Sequence, residues 1–155
     1  MALMAAMMEA AKFVMSPLPN IEPVTLIVTV CTLVCGLRAL YAVYVFVLLD
    51  GLLYGFGMWF IAYLYVWAVL VVAVWLLRKN EGRIFWALVA GIYGFAFGAL
   101  CAIPYFIAGG AAAGISYWLA GIPFDLLHAA GNFVMALTLQ PVCTRVFRRL
   151  YVQNG

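Results

Sequence analysis

One carboxylate, the sole histidine and an amide fall together in the run Pro123-Phe124-Asp125-Leu126-Leu127-His128-Ala129-Ala130-Gly131-Asn132, inside a chain with only 8% charged residues. Spacings of three and four put Asp125, His128 and Asn132 within about 60° of one another on one helix face. Together they can hold a polar solute, and a carboxylate beside an imidazole can also carry protons. Polar groups in an apolar setting cost several kcal/mol unless partnered, so this face requires water, protein or a ligand in front of it. Asp125 has a second reading. Two residues past Pro123, it is placed to cap the N–H groups at a helix start. That account leaves out His128 and Asn132, which lie one and two turns deeper.

Aromatic residues form the next constellation. Trp59, Tyr63 and Trp67 recur every four residues along one helical face, and Tyr54 lies one turn beyond Asp50. A stripe of rings beside carboxylates suits a flat heterocycle held by stacking and by hydrogen bonds at its edge. The same rings also serve as interfacial anchors or packing, and both readings stand. The segment Ser16-Pro17-Leu18-Pro19-Asn20-Ile21-Glu22-Pro23 is stiffened by its prolines, and it presents Asn20 and Glu22 either to a site or simply within a tight turn. Ala2, Ala6 and Ala10 make a small-residue stripe of the kind that lets helices approach closely in lipid. Glu9 is spaced to pair with Lys12 along the same helix. Thr25, Thr29 and Thr32 share a face, and their hydroxyls are expected to bond their own backbone.

These residues need a scaffold, and the composition names its solvent. The chain has 155 residues, 70% of them hydrophobic, with a mean hydropathy of +1.18. No aqueous core could hide so much apolar surface, so lipid is the solvent. Breaks divide the chain into six apolar segments, approximately 2–16, 23–37, 39–54, 58–77, 84–107 and 123–149. Their period is helical, which excludes a lipid-facing β-barrel. The expected fold is therefore all-α: one domain over 1–155, a bundle of six transmembrane helices. With both termini cytoplasmic, seven of the eight basic residues fall inside, namely Arg38, Arg78, Lys79, Arg83, Arg145, Arg148 and Arg149. The outer loops 16–23, 55–58 and 108–122 carry no Lys or Arg, as the positive-inside rule requires. Met1–Met15 does not read as a signal peptide, because Glu9 and Lys12 interrupt it and no basic leader precedes it.

The four cysteines lie in apolar runs without zinc or redox spacing, so no metal site is expected. A phosphate-binding loop, a nucleophile beside the histidine and a basic surface for nucleic acid are all missing from the sequence. No cofactor is expected.

The chain resembles the substrate-binding (S) components of energy-coupling factor transporters over almost its whole length. The resemblance is carried by Pro19-Asn20-Ile21-Glu22-Pro23, by Gly121-Ile122-Pro123-Phe124-Asp125-Leu126-Leu127-His128 through Asn132, and by the alanine stripe. It implies a non-catalytic subunit of the bacterial cytoplasmic membrane that captures a micronutrient outside. It also implies partners: a transmembrane coupling subunit docked on Ala2, Ala6 and Ala10, and two cytoplasmic ATPases. The candidate substrate residues are Asn20, Glu22, Asp50, Tyr54, Trp59, Tyr63, Trp67, Asp125, His128 and Asn132. Carboxylates outnumber amines among them and their neighbours, so a neutral or cationic ligand with an aromatic ring is expected. A stand-alone proton-coupled carrier and a membrane-embedded enzyme are the alternatives.

Overall fold

The computed structural model describes residues 1–15 and 23–153, and within them every regular element is helical. In chain order these are α1 Ala2–Met15, α2 Val24–Cys35, a 3-10 turn Gly36–Arg38, α3 Ala39–Tyr54, α4 Met58–Leu77 and α5 Arg83–Gln153. Three stretches, Val24–Tyr54, Met58–Leu77 and Arg83–Tyr151, are long and apolar enough to cross a membrane. Large apolar side chains such as Leu52, Leu76, Ile92 and Ile107 point outward along them, which is compatible with a membrane environment.

Six separate helices are not what forms. The interval 108–122, expected to be a loop, is helical except at Gly110, so residues 83–153 make a single element. Drawn out straight, 71 residues of helix would run to about 105 Å, against a hydrocarbon layer of about 30 Å. Gly110 breaks this run. Its φ of 73° and ψ of −174° belong to a region open in practice to glycine alone, and the chain reverses there. On either side the contacts step apart in register. Tyr105 stacks on Tyr117 with ring centroids 4.0 Å apart, the Gly98 N–H donates to Asp125, and the Arg83 guanidinium donates to the Leu137 carbonyl. Element α5 is thus a hairpin of two antiparallel arms, 83–109 and 111–153. The run expected as loop stays helical because it is alanine-rich and because Phe106 packs directly over Gly114.

Prolines inside α5 would each orphan the carbonyl four residues earlier. At Pro104 that carbonyl is Leu100, and it accepts the Tyr65 hydroxyl of α4 at 2.6 Å. At Pro141 it is Leu137, and it accepts Arg83 Nε. Tyr65 of α4 and Arg83 of the facing arm therefore replace the missing N–H groups at two of the three prolines.

The arms of α5 meet back to back. A Cβ on Gly94 would sit 2.9 Å from the backbone of Ala129, closer than real contacts allow. The main core lies between the first arm of α5 and the other helices, around the fully buried Phe46, Trp67, Leu70, Val28 and Met8. The bundle is polarised end to end. Arg78, Arg83, Arg145, Arg148 and Arg149 gather at one end, while the Gly110 reversal lies at the other.

Candidate functional site

Two buried polar centres stand on either side of an aromatic core. In the first, Lys12 extends from α1 so that its Nζ lies 2.5 Å from Asp50 Oδ2 at the end of α3. Ring centroids of Tyr54, Tyr63, Phe46 and Trp59 surround the same ammonium at 5.2, 5.3, 5.8 and 5.9 Å. A carboxylate and four rings form a cation box, and the chain fills it with its own lysine. The Glu9–Lys12 pairing expected along α1 is replaced by this one. Asp50 is fully buried and takes Lys12 as its counter-charge, and the Glu9 carboxyl lies beside the same pair.

The second centre holds the trio. Asp125, His128 and Asn132 share the inward face of the second arm of α5 and are 4%, 2% and 2% exposed. Asp125 does not cap a helix start, because the helix runs on through Pro123. Its Oδ1 accepts the Gly98 N–H at 3.0 Å from the facing arm instead. Asn132 Nδ2 donates to Thr25 Oγ1 at 3.2 Å, and the His128 ring meets Phe97 edge-on with centroids 4.9 Å apart. Asp125 Oδ2, His128 Nε2 and Asn132 Oδ1 are enclosed without hydrogen-bond partners.

Trp67 joins the two centres. It is fully buried, and its ring lies 5.6 Å from Tyr63 on the lysine side and 5.5 Å from Phe97 on the histidine side. Phe46 and Tyr93 complete its surroundings, and its indole Nε1 has no hydrogen-bond partner. Trp59 and Tyr63 stand above it in successive edge-to-face contacts, so the four-residue stripe is continuous. Beside the trio a cavity of about 350 Å³ opens between the arms, lined by Phe97, Gly98, Cys101, Tyr117, Phe124 and Asp125 among others. That volume suits a small ligand, with rings for its flat faces and one carboxylate to fix its orientation.

The structure thus brings Asp50, Tyr54, Trp59, Tyr63 and Trp67 into one network that continues through Phe97 to His128, with Asp125 and Asn132 beside it. Asn20 and Glu22 lie outside the described residues. Ala2, Ala6 and Ala10 line an exposed face of α1, opposite the buried Ala5 and Met8. Sequence reasoning missed Gly98, Phe97 and Tyr117. The four-residue spacing of Gly94 and Gly98 was the available signal, since small residues so placed mark a close helix contact. It also placed Thr25 with Thr29 and Thr32. The latter two do bond their own helix, at 2.8 and 2.7 Å, but the Thr25 hydroxyl serves Asn132.

Comparison with protein-family models, with curated proteins and with solved structures finds no match to this chain.

Proposed function

We propose that this chain is the substrate-capture subunit of an ATP-driven importer of the energy-coupling factor class. It binds a small neutral or cationic micronutrient that carries an aromatic ring. One observation carries the reading: Trp67 Nε1, Asp125 Oδ2, His128 Nε2 and Asn132 Oδ1 are all buried without hydrogen-bond partners around one aromatic core. A solute reaching this core through the cavity beside Asp125 gains donors, acceptors and ring faces that the fold leaves free. In this reading the chain crosses the bacterial cytoplasmic membrane six times, each arm of α5 once, with both termini and the arginine-rich end in the cytoplasm. ATP hydrolysis falls to two separate ATPases, joined through a coupling subunit that packs on Ala2, Ala6 and Ala10.

The internal ion pair sharpens the choice of ligand. Lys12 neutralises Asp50, so Asp125 is the charged residue lining the cavity among the described residues. A cation or a hydrogen-bond donor satisfies it, and a dicarboxylate does not. The test is mass spectrometry of small molecules that copurify with the detergent-solubilised protein. A cyclic, non-anionic compound enriched with the wild type and lost from Asp125→Asn is expected. An anionic compound retained equally by both overturns the reading.

A stand-alone proton-coupled carrier is the second reading, favoured by Asp125 and His128 one turn apart and both buried. It requires uptake in vesicles that contain this chain alone under a proton gradient, whereas the first reading requires none.

A further inference from the structure

We propose that the arginine-rich end of the bundle is a binding site for the phosphate group of an anionic phospholipid. The inference does not depend on the solute bound at the opposite end.

A cavity of about 570 Å³ lies where the α4–α5 connection meets the last turns of α5. Arg78 and Arg83 reach it from one wall, and Arg145, Arg148 and Arg149 from the other. Among the described residues Glu81 is the only carboxylate in its lining. The ion pair recorded among the described residues is Lys12–Asp50, far from this cavity, so these five guanidiniums face one another without a salt bridge. Like charges at spacings of three and four along a helix repel, and Arg145, Arg148 and Arg149 have that spacing. The positive-inside rule explains why arginines occur at this end. It does not explain why five of them converge on one concavity from segments some sixty residues apart in sequence.

The chemistry of the lining selects the ligand. A guanidinium is a planar fork that matches phosphate oxygens two at a time, and a cluster of forks matches a phosphate better than a single carboxylate. The positions of Arg78 and Arg83 are fixed by their surroundings. Arg78 stacks over Trp75 at 4.8 Å, and Arg83 is held by its Nε bond to the Leu137 carbonyl that Pro141 leaves free. The cavity is also amphipathic. Leu33 and Trp86 lie in its lining, and Ile84, Val142 and Val146, each next in sequence to a lining residue, are exposed and apolar. A soluble phosphate has no use for that surface, whereas acyl chains below a headgroup do. Basic pockets between membrane helices at this depth attract anionic headgroups on general electrostatic grounds.

The experiment is native mass spectrometry of the full chain in phosphatidylcholine micelles titrated with phosphatidylglycerol. Phosphatidylglycerol should be retained at least about tenfold better than phosphatidylcholine, given the attraction per basic residue near a charged surface. Arg145→Gln with Arg149→Gln should remove most of that preference, and so should Arg78→Gln alone on the opposite wall. Arg38→Gln, outside the cavity lining, should leave it unchanged. Thermal midpoints measured in phosphatidylcholine alone report folding, and Arg145→Gln singly is read if the double variant is unstable. Equal retention of the two lipids, or a preference unmoved by the arginine variants, overturns the proposal. Displacement of the lipid by inorganic phosphate at equal concentration overturns the lipid assignment in favour of a soluble phosphate.

Discussion

The Tyr65 hydroxyl donates to the carbonyl of Leu100, the one backbone acceptor that Pro104 strips of its helical N–H. A bond of 2.6 Å between α4 and the first arm of α5 thus repairs a proline defect and ties two elements that flank the aromatic core. Tyr65→Phe should lower stability by about 1–3 kcal/mol, since the carbonyl is then left unpaired away from water. In Pro104→Ala the helix supplies its own donor, so the same tyrosine substitution should cost much less. Thermal unfolding of the four proteins of this double-mutant cycle measures the coupling, and equal losses in both backgrounds would exclude the repair.

Lys12 and Asp50 make a comparable bond across α1 and α3. Removing Lys12 leaves the Asp50 charge enclosed, at a cost of about 3–5 kcal/mol, whereas Lys12 itself is partly exposed. Lys12→Met should be strongly destabilised in detergent and Asp50→Asn less so, and the double variant should regain most of the loss of Lys12→Met. A double variant as unstable as the sum of the singles would show that the two side chains act independently.

The apolar and helical character of the chain was legible because composition and period state it directly, and three stretches are long and apolar enough to cross a membrane. The inward face of the last helix was legible too, since spacings of three and four among polar residues place Asp125, His128 and Asn132 together wherever the helix begins. Two features were hidden. Gly110 stands beside Gly109 in a run of small residues that reads as loop, and packing of Phe106 on Gly114 and of Tyr105 on Tyr117, added to the helix preference of its alanines, keeps that run helical. The partner of Lys12 was hidden because α1 offers Glu9 nearby, while burial of Asp50 is a tertiary fact. Local spacing cannot outbid a fully enclosed carboxylate.

Gly98 is where the hairpin and the candidate site coincide. Its backbone N–H holds Asp125, and a Cβ built there would overlap the same carboxylate. Gly98→Ala should therefore push Asp125 off its anchor, destabilise the chain by about 1–3 kcal/mol through overpacking, and weaken ligand retention. Adding Asp125→Ala should relieve the clash and restore part of the stability but none of the retention. A Gly98→Ala protein that is fully stable and keeps its ligand would separate the glycine from the site.

Ala2, Ala6 and Ala10 form an exposed strip of small side chains on α1. If a coupling subunit packs there, Ala6→Leu should abolish copurification with it while leaving small-molecule binding intact. A bulky side chain holds the helices apart and forfeits the close contacts that drive association in lipid. Complex yield unchanged by the leucine would take the strip out of the interface.

The ligand contacts give the most direct test. Asp125 holds one oxygen on Gly98 and keeps Oδ2 free in the cavity lining, and Trp67 keeps its indole N–H free between Tyr63 and Phe97. Asp125→Asn keeps the size of the side chain and an acceptor for Gly98 but removes the charge. It should weaken a cationic or donor ligand by about 1–3 kcal/mol, the scale of a charge-assisted hydrogen bond. Trp67→Phe removes the N–H while preserving most ring contacts, so a loss of affinity without a large loss of stability assigns the indole to the ligand. Trp67→Ala should cost both, because four neighbouring rings lose their partner. Affinities measured by calorimetry for the compound identified by mass spectrometry decide between these roles. Affinity untouched by both Asp125→Asn and Trp67→Phe would move the binding site away from this core.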